Sequence, residues 1–116
     1  MTTVTRFEDL RIWQESMDLS VQVYKILKDC KDYGLKDQIQ RSSVSIPSNI
    51  AEGFDRNYNK EFIRFLNIAK GSTAELRTQL ELAKRIKIIE DLDNLIESTI
   101  EISKGIQALI NYRSKF

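Results

Sequence analysis

The 116-residue chain contains no histidine and a single cysteine, Cys30. Without histidine the commonest general base and metal ligand of proteins is missing, so catalysis would depend on lysine or carboxylate side chains. One cysteine cannot form an intramolecular disulfide, and a cysteine-based zinc site needs several. The chain also contains neither an SxxK motif nor a glycine-rich phosphate loop. These absences favour a protein that is not an enzyme and predict no metal and no cofactor.

Proline and glycine are scarce, with one and four residues respectively, and long apolar runs are missing. The longest uninterrupted apolar run is Ala108 to Ile110, and charged side chains occur throughout the first twenty residues. A membrane-spanning helix needs about 20 apolar residues, and a secretory signal needs an apolar run of about 7 to 15. The sequence therefore predicts a cytoplasmic, all-α protein without membrane association.

Apolar residues recur every three or four positions in four segments. This period predicts one domain of four helices, over about 7–31, 35–56, 59–86 and 91–114. Short connections are typical of an up-down-up-down four-helix bundle. Gly34 suits a left-handed stop after the first helix, and Asn57 or Asn59 suits the start of the third.

The first helix is apolar over a wider arc than one packing seam requires. Its apolar residues form two rows, Leu10, Trp13, Met17, Val21 and Tyr24 in one and Ile12, Leu19, Val23, Ile26 and Cys30 in the other. A helix with such a surface can contact two neighbours. The width predicts that copies of the chain associate.

Pro47 lies in the middle of the second helix. It has no amide hydrogen, and its ring opposes the carbonyl of Ser43, so a straight and unbroken helix would cost about 3 kcal/mol. This predicts a kink near Pro47; a break, with Pro47 in the first turn of a new helix, is the alternative. In either case the Ser43 carbonyl is left for a side chain or a water molecule, and the neighbouring serines of the same helix offer hydroxyls that can satisfy it.

The second helix also carries a stripe of mostly short-chained polar residues. Its members are Gln38, Ser42, Ser45, Asn49, Glu52 and Arg56. One interpretation is a solvated surface; the other is close approach by a second backbone, because exposed helices usually present lysine and glutamate instead. The predicted oligomer or structural motif comprises Gln38, Ser45, Pro47, Asn49, Glu52 and Gly53. In the third helix, the small residues around Gly71 predict a further close approach.

Positive charge collects in the middle of a chain whose net charge is only +1. Residues 36–87 carry ten basic and six acidic side chains, whereas residues 88–116 carry three and five. Arg56, Lys60 and Arg64 follow one another at four-residue intervals and form a predicted basic ridge, with Arg41 and Arg77 as flanking candidates. These five residues are the candidate nucleic-acid contacts.

The basic ridge has two interpretations. Its residues can pair with nearby carboxylates on a solvated surface, at about half a kcal/mol per pair. In a ring of identical subunits, however, each basic group is repeated around the axis, which strengthens the field that attracts phosphates.

Three segments of the sequence carry a family resemblance: FEDLRIWQESMDL from Phe7, DQIQRSSVSIPSNIAEGFDR from Asp37, and KEFIRFLNIAKGSTAELRTQLELA from Lys60. Together they closely resemble the small proteins encoded within intervening sequences of bacterial large-subunit (23S) ribosomal RNA genes. The resemblance covers most of the chain and is weakest in the last helix. It implies a four-helix bundle that assembles into a ring-like homo-oligomer, a pentamer. It also implies similarity to the accessory protein of diversity-generating retroelements, which is basic and associated with nucleic acid and reverse transcriptase.

Two functions stay open at this point. The first is a non-catalytic homo-oligomeric bundle that binds structured RNA or a nucleic-acid enzyme. The second is a protein-protein interaction scaffold without nucleic-acid binding. Binding of RNA that weakens steeply with salt distinguishes the first from the second.

Overall fold

A computed structural model describes residues 3–116, which form four α-helices preceded by a short 3-10 helix at Phe7–Asp9. The α-helices are α1 (Arg11–Ile26), α2 (Tyr33–Asp55), α3 (Asn59–Arg85) and α4 (Asp93–Arg113). They lie side by side in a body of 46 × 22 × 20 Å, whose long dimension matches the roughly 40 Å expected for α3. The predicted all-α four-helix bundle is confirmed.

The core consists of the apolar row that each helix presents to the other three. Its fully buried side chains are Val23 in the last turn of α1 and Leu27 directly after it, Ile39, Ile46 and Ile50 on α2, Leu66, Leu76 and Leu80 on α3, and Ile106 on α4. The packing is most extensive between α2 and α3, and least extensive between α1 and α4. Helices α2 and α3 are therefore the most closely packed pair of the bundle.

The helix ends differ from the predicted ends in the first half of the chain. The predicted first helix at 7–31 is divided, because Leu10 is extended (φ −75°, ψ 127°) between the 3-10 helix and α1, and α1 ends at Ile26. Gly34 does not stop a helix; it lies in the first turn of α2, where Asp32 Oδ1 accepts a hydrogen bond of 3.2 Å from the amide of Leu35. A carboxylate at this position satisfies an amide that the helix itself cannot pair.

The asparagines near the third helix also have other roles than the predicted cap. Asn57 adopts the left-handed conformation (φ 60°) directly after α2. Tyr58 precedes α3 without a side-chain cap, and the Asn59 side chain instead donates a 2.8 Å hydrogen bond to the carbonyl of Arg113. Asn59 thus ties the start of α3 to the end of α4.

Helix α2 runs without interruption through Pro47, so the alternative of a break is wrong, and the kink stays a prediction. The carbonyl of Ser43, which Pro47 leaves without its helical donor, accepts a buried 2.9 Å hydrogen bond from the hydroxyl of Ser20. The donor is on α1 and not among the serines of α2. The proline defect is therefore repaired by the neighbouring helix and joins the two helices at one point.

Two glycines have opposite environments on α2 and α3. Gly53 is buried, and a Cβ built there would overlap the Cβ of Phe65 and lie 3.1 Å from its Cγ. Gly71, predicted to admit a neighbouring helix, is exposed, and a Cβ there would meet nothing within 4 Å. Gly71 itself contacts no other helix of this chain, although its neighbour Ser72 meets Ser45 of α2. The close approach at a glycine is that of α2 to α3 at Gly53.

We predict that Ser20→Ala lowers the free energy of unfolding by about 1 to 3 kcal/mol, because it leaves the buried Ser43 carbonyl unpaired. In the background of Pro47→Ala, Ser20→Ala should lower the free energy of unfolding by less, because residue 47 then supplies an amide hydrogen to that carbonyl. Urea denaturation of the four proteins measures this coupling.

Ser16→Ala is the matched control for this cycle. Ser16 is equally buried, but its hydroxyl bonds to the Trp13 carbonyl within α1 at 2.9 Å. Its replacement should have the same effect with and without Pro47. An equal cost of Ser20→Ala in both backgrounds would contradict the repair of the proline defect by Ser20.

A second prediction concerns the glycines. Gly71→Ala should raise the free energy of unfolding by about 1 kcal/mol, since alanine favours the helix and meets no neighbour. Gly53→Ala should lower it by about 1 to 3 kcal/mol, since the new methyl group overpacks the contact with Phe65. Urea denaturation under identical conditions compares the two. A stabilising Gly53→Ala would show that α3 can move aside.

Candidate nucleic-acid interface and self-association surface

The basic ridge is located where α2 ends and α3 begins. Arg56 directly follows α2, and Lys60 and Arg64 lie in the first two turns of α3. The turn brings Arg56 and Arg64 onto one aromatic ring, with their guanidinium carbons 5.0 and 4.6 Å from the centroid of Phe65. Contact of a guanidinium with an aromatic ring is favourable and leaves its N–H groups available to other partners.

Two carboxylates neutralise part of this ridge. Glu61 accepts hydrogen bonds of 2.8 and 3.2 Å from Arg64, and its Oε1 lies 3.8 Å from Arg56. Arg56 also donates to Glu52 at 3.2 Å. The hydrogen bond from Arg64 lowers the pKa of Glu61 below its ordinary value. The carboxylate therefore stays charged at neutral pH, and the pairing is lost only when acid protonates Glu61 below its usual range.

The other candidate basic residues either lie apart from this cluster or form no ion pair within residues 3–116. Lys60 and Arg77 are exposed and form no ion pair within residues 3–116. Arg41 is bound to Asp37 at 2.8 Å. Arg41 and Arg77 are each separated from the ridge by about four helical turns, or roughly 20 Å. The structure brings together Arg56, Lys60 and Arg64 but not the two flanking candidates.

Helix α3 carries most of the excess positive charge. Its basic residues are Lys60, Arg64, Lys70, Arg77, Lys84 and Arg85, against the acidic residues Glu61, Glu75 and Glu81. Arg77 and Arg85 line a shallow hollow on its outer surface. A salt bridge of 2.7 Å to Asp93 raises the pKa of Lys84 and joins α3 to α4. The positive charge of the molecule is thus concentrated along one helix.

An apolar groove lies between α1 and α2, away from the ridge. Its volume is about 600 Å³, and it is lined by Trp13, Met17, Ser20, Val21, Tyr24, Lys25, Val44, Pro47, Ser48 and Ala51. Several large apolar side chains here are exposed: Met17 by 39%, Val21 by 48%, Tyr24 by 49% and Val44 by 41%. They include members of one of the two apolar rows of the first helix, whereas Ile12, Leu19 and Val23 of the other row are buried in the core. We call this surface the apolar groove.

Two members of the polar stripe of α2, Ser42 and Ser45, face α3 of the same chain, whereas Asn49 bonds within α2. Ser42 donates to Glu75 at 2.7 Å, and the hydroxyls of Ser45 and Ser72 are 2.9 Å apart. Asn49 donates to the carbonyl and the hydroxyl of Ser45, at 2.8 and 3.0 Å. For Ser42 and Ser45 the neighbouring helix is therefore α3 of the same chain.

The six residues of the predicted oligomer or structural motif differ in their exposure. Gln38 and Glu52 are exposed, Ser45 and Asn49 are half-buried, and Pro47 and Gly53 are buried. Of the six, Pro47 lines the apolar groove. An intermolecular role for all six stays a prediction.

A small pocket at the end of the bundle was not predicted from the sequence. It has a volume of about 240 Å³ and is lined by Thr3, Val4, Phe54, Asn57, Tyr58, Asn59, Phe62 and Arg113. We call it the end pocket. The guanidinium of Arg113 lies 5.0 Å from the centroid of Phe62, and its Nη1 is 3.4 Å from Asn59 Oδ1. Because Asn59 and Arg113 are 54 positions apart, no local pattern could reveal their meeting.

Two other kinds of feature are absent from residues 3–116. Within that range no group of three or more cysteine and carboxylate residues is arranged to hold a metal ion. Over the same range no helix combines the length and apolar character needed to cross a bilayer.

The model of the 23S rRNA-intervening sequence protein family matches residues 8–108. The chain belongs to this family. The match begins in the 3-10 helix and ends within α4, so it includes the ridge, the apolar groove and most of the end pocket. The family assignment itself names no catalytic activity.

A solved structure of similar fold comes from Bacteroides thetaiotaomicron. It is described as a protein of unknown function from the S23 ribosomal protein family, with 30% sequence identity and a TM-score of 0.79. The alignment covers 85% of this chain and 97% of the Bacteroides chain. Among curated proteins, none has significant sequence similarity to this chain.

Proposed function

We propose that the protein is a non-enzymatic helical bundle that assembles with copies of itself through the apolar groove. The observation that carries this proposal is the exposure of Met17, Val21, Tyr24 and Val44 as one continuous surface. Contiguous apolar surfaces are rare on soluble monomers and mark interaction sites. The predicted assembly is a closed ring of five subunits.

The chemistry of the groove favours an identical partner over a charged ligand. Among residues 3–116, Lys25 is the only charged residue in its lining, so association there removes apolar side chains from water with little loss of charge hydration. A closed ring also gives each subunit the same contacts, which satisfies every groove.

The second part of the proposal is that the assembly binds structured RNA through α3 and the basic ridge. The supporting observation is the excess of three positive charges on α3, together with the unpaired Lys60 and Arg77. One helix with this excess is a weak site, but a ring repeats it five times. Phosphates would also compete with Glu52 and Glu61 for the arginines, which keep their positions on Phe65.

For self-association we predict that Val21→Glu lowers the mass in solution to that of a monomer, because it places a charge in the apolar groove. Leu82→Glu is the matched control, since Leu82 is an aliphatic residue of α3 with 50% exposure, against 48% for Val21. Light scattering at micromolar concentration measures the mass. A monomeric parent protein, or a Val21→Glu variant that keeps the parent's mass, would refute assembly through this groove.

For RNA binding we predict that changing Arg56, Lys60 and Arg64 together to Gln weakens affinity and flattens its dependence on salt, because fewer counterions are released. Glu61→Gln should strengthen the affinity and steepen its dependence on salt, since it removes the carboxylate that neutralises Arg56 and Arg64. Titration of a structured ribosomal RNA fragment at several salt concentrations measures both slopes, with mass in solution as the control for assembly.

The alternative function is a protein-protein interaction scaffold without nucleic-acid binding. The same apolar groove would support it, since nothing in its lining requires RNA. Failure of the parent protein to bind RNA at low salt, while its assembly persists, would favour the scaffold.

A further inference from the structure

We propose that the end pocket receives one unstacked base of a single-stranded segment of nucleic acid. This inference rests on the proposed binding of RNA and specifies what part of the RNA is bound. With about 240 Å³, the pocket is smaller than the roughly 300 to 1,000 Å³ of sites for drug-sized ligands, and its size suits a single planar ring system.

The pocket presents aromatic surface to such a ring. Phe54 and Phe62 meet edge to face, with centroids 5.6 Å apart, and both line the pocket. Tyr58 is also part of the lining, and 72% of it is exposed. An exposed tyrosine beside a cavity can stack on a base that enters it.

The pocket also offers polar groups that match the edge of a base. Asn57 supplies an amide group that can both donate and accept, whereas the amide of Asn59 is already bonded to Arg113. Arg113 also lines the pocket, and its guanidinium carries N–H donors that suit a carbonyl oxygen or a ring nitrogen of a base.

The position of the pocket fits a strand that also contacts the ridge. Asn57, Tyr58 and Asn59 are the three residues between Arg56 and Lys60. A base in the pocket therefore places its flanking phosphates within reach of two basic side chains. A base-paired duplex cannot enter in this way, because its bases are stacked inside the helix. The geometry points to single-stranded loops or ends as the bound part of a structured RNA.

The test compares two equally exposed tyrosines. We expect Tyr58→Ser to weaken binding of a 12-nucleotide oligouridine by about tenfold, a loss within the range of base-aromatic stacking. The salt slope should not change, since the phosphate contacts remain. Tyr33→Ser is the matched control: Tyr33 is 71% exposed and lies at the first residue of α2, at the other end of that helix. It should bind like the parent protein.

Two further probes separate stacking from phosphate binding. A 12-nucleotide strand without bases, and a 12-base-pair RNA duplex, should each bind the parent and Tyr58→Ser equally. Equal affinity of Tyr58→Ser and Tyr33→Ser for oligouridine would overturn the base-binding pocket, even if the ridge still gives a salt-dependent affinity. A parent protein that binds none of the three probes at low salt would refute the proposed RNA binding itself, and the pocket inference with it.

Discussion

The hydrogen bond from Ser20 to the Ser43 carbonyl is the contact on which the arrangement of the first two helices depends. Pro47 removes the donor that this carbonyl would have within α2, and a buried carbonyl without a donor is costly. The hydroxyl that replaces it comes from α1 at 2.9 Å. Because Ser20 adjoins Val21 and lies one turn from Met17 and Tyr24, the same contact places these apolar side chains beside Pro47. The groove is a consequence of how the proline is accommodated.

Helix α2 separates two chemistries on its two sides. Towards α3 it adds polar contacts to the apolar core, with Ser42 and Ser45 bonded to α3, and Gly53 allows the backbone to approach Phe65. Towards α1 it is apolar and partly uncovered. A seam with specific partners fixes the register of α2 on α3. The uncovered side is then available for contacts with other molecules. This fits the proposed assembly, in which the fold of one chain is complete and its apolar groove is covered by another copy.

The parts of this structure that were predictable are those that follow from local period and covalent geometry. Helical spacing predicted the four-helix bundle. The two apolar rows of the first helix predicted more apolar surface than the core can bury. The ring of Pro47 identified the Ser43 carbonyl as the one that loses its helical donor. The donor could not be predicted, because Ser20 is 23 positions away. Phe65 beneath two arginines and Arg113 beside Asn59 also depend on how helices meet. The predicted helix stop at Gly34 and the predicted close contact at Gly71 were not found, for a different reason. Glycine permits a left-handed stop or a close contact but requires neither.

The position of Trp13 has a practical consequence. It is the only tryptophan in the sequence, it lines the apolar groove, and its ring lies 5.5 Å from that of Phe7. Indole emission depends on the polarity around the ring, so the tryptophan fluorescence of the protein comes from one site at the surface proposed to join subunits. The chain carries its own optical reporter there, and the wavelength of its tryptophan emission can test whether the proposed assembly dissociates upon dilution, without any attached dye.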